Sequence, residues 1–119
     1  MTTIVTRKKP WSIATTVAKS IRFMVMDAGM VYPNDRYTVI FDAPLNNGGN
    51  RGTTYPYLSM NSFGMGYHGE VDPAYVEAAM RGDITGERCI CWDDLNKNCQ
   101  ATARAEIRTY LELQLGMAS

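Results

Sequence analysis

His68 is the only histidine of the chain, and it stands inside the run Gly64-Met65-Gly66-Tyr67-His68-Gly69, a literal GxGxxG. Where such a run joins a strand directly to a helix, its glycines let a pyrophosphate approach the backbone at the helix N-terminus. Here Glu70 and Val71 intervene, and Asp72 takes the capping position, placing negative charge where a phosphate would sit. An acidic residue about 20 positions on belongs to the dinucleotide pattern; Glu87 is near that distance but falls on a turn. The run therefore reads as a glycine-rich turn with positive-φ positions. Cys89 and Cys91, with Cys99 and His68, form the other constellation. Alternation on a strand puts Cys89 and Cys91 on one face, but structural zinc uses Cys-x2–4-Cys knuckles, and Cys99 suits a helix face as a small apolar residue. A general base at His68 needs a nucleophile or an orienting carboxylate. Glu70 and Asp72 are close in sequence, yet no GxSxG motif accompanies them. No enzymatic activity, metal or cofactor is expected.

Binding is the chemistry that remains. Aromatic and basic residues interleave in the N-terminal half: Trp11, Tyr32, Arg36, Tyr37, Arg51, Tyr55 and Tyr57. Tyrosine and arginine dominate protein interface hot spots, and they also stack on bases. No RNA-recognition signature is present, so direct nucleic-acid binding is not expected. Tyrosine is also a good strand residue, and part of this set covers the sheet. The candidate partner-binding residues are Arg36, Arg51, Tyr55, Tyr57, Tyr67 and His68.

The elements that must position them follow from periodicity. Residues 1–9 read as an extended arm. Residues 12–28 read as a helix capped by Ser12, with Ile13, Val17, Ile21, Met24 and Val25 on one face and Gly29 closing it. A turn at residues 32–35 precedes a strand over 36–42, whose alternation places Tyr37, Val39 and Phe41 together. The polar PLNNGGNRG segment, residues 44–52, is a loop. A second strand over 53–63 returns antiparallel, with Tyr55, Tyr57, Ser59 and Asn61 on one face, and Pro56 implies an edge position or an irregular start. Residues 64–69 break it. Asp72-Pro73 starts a helix that runs to Arg81 and stops at Gly82. Residues 88–91 form a short strand. Asp93, with Trp92 as a staple, opens the last helical segment, which runs to about residue 115, aligns Leu95, Cys99, Ala103, Ile107, Tyr110 and Leu111, and ends at Gly116.

Length and composition fit this frame. At 119 residues, 45% apolar and 20% charged, the chain suits a single domain spanning 1–119. Its net charge is zero, but residues 1–69 sum to +4 and residues 70–119 to −4, a split that can steer a partner to one side. Three cysteines without a secretory signal argue for a reducing, cytoplasmic setting. No apolar run is long enough to span a bilayer.

The expected fold is α+β: a small antiparallel sheet of three to four strands with about three helices packed mainly on one face. The stretch ICWDDLNKNCQATARAEIRTYLEL resembles a recurring ending of small bacteriophage and mobile-element proteins: a strand, an aromatic-x-Asp-Leu turn, a glutamine and an amphipathic helix. The matching positions are Trp92, Asp94, Leu95 and Gln100, with Asn96 where a proline is usual. The whole chain is similar, in size and in lacking catalytic motifs, to phage-encoded host-defence inhibitors such as anti-CRISPR proteins. The likeness carries no residue roles. It implies a non-enzymatic binding protein that occludes a functional surface of a host protein or ribonucleoprotein complex in the bacterial cytoplasm. Two alternatives stand beside it. One is sequestration of a small nucleotide-like signal, with a tyrosine on the base and Arg36 or Arg51 on phosphate. The other is a homo-oligomer, possible as a homodimer, assembled through the apolar FMVMDAGMV helix.

Overall fold

A computed structural model of the chain describes residues 11–15, 20–43, 45–46 and 52–114. The expected arm at 1–9, most of the 44–52 loop, Arg51 and Gly116 lie outside these residues. The elements in chain order are β1 (Ser12–Thr15), β2 (Ser20–Asp27), β3 (Tyr37–Phe41), β4 (Leu45–Asn46), β5 (Thr53–Met60), β6 (Gly66–Val71), α1 (Pro73–Arg81), β7 (Arg88–Ile90) and α2 (Lys97–Gln114), with single 3-10 turns at Pro33–Asp35 and Trp92–Asp94.

The seven strands fill five positions of one antiparallel sheet. β3 pairs with β2 along residues 23–27, and β1 and β7 lie end to end on the other side of β2, along 20–23 and 25–27. β5 pairs with β3 on one side and β6 on the other, while β4 continues from β3 to pair with Thr53 and Thr54. The pairing of β3 is Ile40 with Tyr57, that of β4 is Leu45 with Thr54, so two extra residues bulge out between them. The bulge falls beside Pro56, which has no N–H to offer that ladder. β5 is thus an interior strand, and the proline sits at a bulge rather than on an edge.

Three expectations are overturned. The sheet is wider than three to four strands, the described residues form two α-helices rather than three, and the helices lie on opposite faces. The expected helix over 12–28 is instead β1 and β2. Phe23 and Val25 pack with Val39, Phe41, Leu58, Trp92, Ala103 and Ile107 under α2, while Met24 and Met26 pack with Ile40, Val76 and Ala79 under α1. A central strand covered on both faces has no reason to alternate, and its continuous apolar run imitates a buried helix. The segment after β5 is also a strand, β6, where a glycine-rich loop was expected.

The remaining local signals act where they stand. Gly82 (φ 76°) ends α1 in a Schellman arrangement, with its own N–H on Ala79 O and that of Asp83 on Ala78 O. Asp72 occupies the N-cap, yet its side chain makes no capping bond; only its carbonyl accepts, from Tyr75 and Val76. The cap of α2 is Asn96, not Asp93: its Oδ1 takes the Cys99 N–H at 2.9 Å. Trp92 is buried and stacked on Phe23 at 4.4 Å. Gln100 donates to Trp92 O at 3.0 Å, and Asp94 accepts from Cys91 N–H. The aromatic-x-Asp-Leu-Gln pattern is therefore a device that locks the start of α2 to the sheet.

Candidate interaction site

The register lines up Arg88, Asp27, Tyr37, Met60 and Gly66 as one row across the sheet. Just past this row the β2–β3 turn and the β5–β6 turn project side by side. Their centres stand roughly 10 Å apart, two strand spacings. Five of the large apolar side chains with most exposure sit on these two turns: Met30, Val31 and Tyr32 on the first, Phe63 and Met65 on the second, each between 62% and 73% exposed.

Both turns are held firmly. In the second, Asn61 N–H bonds Met65 O, and Gly64 N–H bonds Asn61 O, with Gly64 at φ 83°. This is a three-residue hairpin loop closed by a left-handed glycine. The Asn61 carboxamide oxygen also accepts from the N–H groups of Phe63 (2.9 Å) and Met65 (3.1 Å). Asn96 Nδ2 ties Ser62 O to the cap of α2 at 2.8 Å. A Cβ on Gly64 would stand 2.8 Å from Thr102 Oγ1, so the turn lies hard against α2. In the first turn, Ala28 N–H bonds Arg36 O at 2.8 Å, and the Pro33–Asp35 helical turn closes on Tyr32 O.

Behind the first turn lies a charged cleft of about 370 Å³, with Asp27, Arg36, Arg88 and Asp94 in its wall. Asp27 is only 6% exposed. Its carboxylate accepts from Gly29 N–H at 2.7 Å and Arg36 Nε at 3.1 Å, and Arg88 Nη2 stands 3.9 Å away. Burial alone would raise the Asp27 carboxyl. The bonds from Arg36 and Gly29, with the charges of Arg36 and Arg88, outweigh it and hold the group below the ordinary carboxylate range. The same bond, donated by Arg36 to Asp27, holds Arg36 above its usual value.

The expected site residues do not form one surface. Arg36 is at this end but turns to Asp27 and lies over the Tyr37 ring at 4.8 Å. Tyr55 and Tyr57 are half-buried on the α1 face, Tyr55 beside Trp11. Tyr67 is exposed and meets Tyr57 edge-on at 6.5 Å. His68 points to the opposite face, where Nδ1 is 2.9 Å from Glu106. Arg51 lies outside the described residues. The residues that reasoning from sequence missed are Asp27, Met30, Val31, Phe63, Met65 and Arg88. One signal was available for four of them: large apolar side chains inside turns, where polar residues are the rule.

The features behind the other two readings of the sequence are placed as follows. The glycines of GMGYHG face protein: a Cβ on Gly66 would be 1.8 Å from Ser59 O, and one on Gly69 would be 2.9 Å from the Tyr57 ring. The FMVMDAGMV stretch has Phe23 to Ala28 buried within the protein and offers no helical interface. The cysteines part company as well, with Cys99 on the inner face of α2 against Asn61 O and Cys89 on the α1 face. Among the described residues no group of three or more His, Cys, Asp or Glu is placed to hold a metal, and no helix is long and apolar enough to cross a membrane. No protein-family model, curated protein or solved structure matches the chain.

Proposed function

We propose that the chain is a non-enzymatic binding protein that docks on a partner protein through its two apolar turns and occludes that partner's functional surface. One observation carries the reading: Met30, Val31, Tyr32, Phe63 and Met65 are exposed together on turns pinned by hydrogen bonds. Apolar groups gathered in this way mark interaction sites. Turns already held in shape lose little further freedom on binding, which favours affinity. The adjacent Asp27, Arg36 and Arg88 supply a charged rim that fixes orientation. The likeness to small phage inhibitors supplies the setting, a host-defence complex in the cytoplasm of a bacterial cell.

The test is a phage challenge. The chain is expressed in bacterial strains that each carry one active defence system. Restored plaque formation in one strain, lost again with Phe63→Ser plus Met65→Ser in a variant that melts like the parent, is the expected result. No restoration against any system, or full activity in the double variant, overturns the proposal.

A further inference from the structure

We infer that Met30 and Met65 form a modification site for peroxides: conversion of both thioethers to sulfoxides makes the apolar patch polar and withdraws the docking surface without unfolding the chain. This rests on the docking reading above and supplies its regulation. Burial divides the described methionines sharply. Met24, Met26 and Met60 are wholly buried inside the two cores. Met30 and Met65 are 73% and 66% exposed, one on each of the two turns. Met80, 45% exposed, belongs to α1 and to neither turn.

A thioether is oxidised where a peroxide can reach it. One peroxide oxygen bonds to the sulfur, the O–O bond breaks, and the other oxygen leaves as water. The sulfur gives up an electron pair and the peroxide takes it. No proton has to be removed from methionine first, so access sets the order of reaction. A cysteine, by contrast, reacts as its thiolate. Cys99 is buried, and burial pushes its thiol up, which leaves it inert.

The product changes the surface and spares the fold. A sulfoxide is polar, and covering it with a partner is costly unless a donor meets its oxygen. Neither Met30 nor Met65 belongs to a core cluster, so the added oxygen displaces no packed side chain. The bonds that hold the turns, Asn61 to the Met65 N–H and Ala28 N–H to Arg36 O, do not involve sulfur. Val31, Tyr32 and Phe63 supply apolar surface that the peroxide leaves alone. Met30 and Met65 supply the part that it changes, on both halves of the patch. Methionine sulfoxide is reduced enzymatically, so the change is reversible.

Peroxide treatment of the purified full chain tests this, with retention on a phenyl resin as the probe of apolar surface. Peptide mapping should find sulfoxide at Met30 and Met65 at least about tenfold faster than at Met24, Met26 and Met60. Retention should fall to that of Met30→Gln plus Met65→Gln, whose polar side chains imitate the sulfoxide, while the melting temperature stays that of the parent. Met30→Leu plus Met65→Leu should keep its retention, since oxidation elsewhere in the chain is common to both proteins. Methionine sulfoxide reductases with dithiothreitol should restore the treated parent, and dithiothreitol alone should not. In the phage challenge the leucine variant should act like the parent and the glutamine variant should fail. Equal oxidation of the buried methionines, unfolding of the treated parent, a leucine variant that loses retention as the parent does, recovery with dithiothreitol alone, or a glutamine variant that restores plaques in full overturns the proposal. A parent that restores no plaques counts instead against the docking reading, because the resin result needs no partner.

Discussion

Tyr57 occupies the space that a side chain at Gly69 would need: a Cβ there would lie 2.8 Å from the phenol oxygen and 2.9 Å from the nearest ring carbons. The two are direct cross-strand partners. The glycine that looked like part of a nucleotide loop is the floor on which a tyrosine lies. Gly69→Ala should therefore destabilise the protein by about 1–3 kcal/mol through overpacking. Combining it with Tyr57→Ala should relieve the clash, giving a coupling of about 0.5–3 kcal/mol between the two sites. Urea unfolding of the four proteins measures it, and additive costs would refute the contact.

Asp27 ties the end of β2 to both ends of the turn that follows, at Gly29 and at Arg36 just before β3. Its folded pKa lies below the unfolded value, so its contribution is present at neutral pH and is lost as pH falls below about 4, through the folded pKa. Asp27→Asn should cost about 1.5–3 kcal/mol at pH 7, the worth of a bond to a charged group. The same variant should flatten the acid limb of the stability curve. Chemical denaturation at a series of pH values tests both.

Legibility in the sequence depended on whether polar residues interrupt the apolar run. β3 buries Ile40 on its second face as well, yet it reads correctly because Arg36 and Thr38 on that face alternate with Tyr37, Val39 and Phe41. α2 reads correctly because Leu95, Cys99, Ala103 and Ile107 trace one helical stripe and are all buried. β2 is buried on both sides, so Phe23 to Met26 carry no period, and helix and strand cannot be separated by pattern. β6 fails for a different reason. Gly66 and Gly69 are there because Ser59 O and the Tyr57 ring press against their Cα atoms, a tertiary cause that looks locally like a breaker. The expected site suffered in turn: Tyr67 and His68 are neighbours in sequence but point to opposite faces of the strand that was missed.

Asn61 shapes the turn that displays Phe63 and Met65, accepting both of their N–H groups on one side-chain oxygen. Asn61→Ala should cost about 1–2 kcal/mol, since these are exposed, neutral bonds, and should speed amide exchange at 63 and 65. Phe63→Ser and Met65→Ser remove no buried contact and should change stability by no more than about 0.5 kcal/mol. If the serine variants cost as much as Asn61→Ala, the two side chains belong to the core and not to a docking surface.

Tyr75, on the first turn of α1, is half-buried and hydrogen-bonds Glu87 across the 82–87 turn. Burial, then the Glu87 charge, push its phenol up to about 12. Glu87 is itself raised by burial, with the Tyr75 bond pulling the other way. The phenol is neutral when protonated, so the folded state keeps a proton that the unfolded chain releases near pH 10. The resulting stabilisation is complete below pH 10 and is lost as pH climbs through about 12. Tyr75→Phe should erase this part of the alkaline loss. At neutral pH it should cost about 1–3 kcal/mol, because the Glu87 carboxylate loses its donor. Phenolate absorbance during alkaline titration identifies Tyr75 as a late-titrating group, missing in the variant. An unchanged titration in Tyr75→Phe would show that the phenol was never shielded, and the α1 face of the sheet would then be more open than its packing implies.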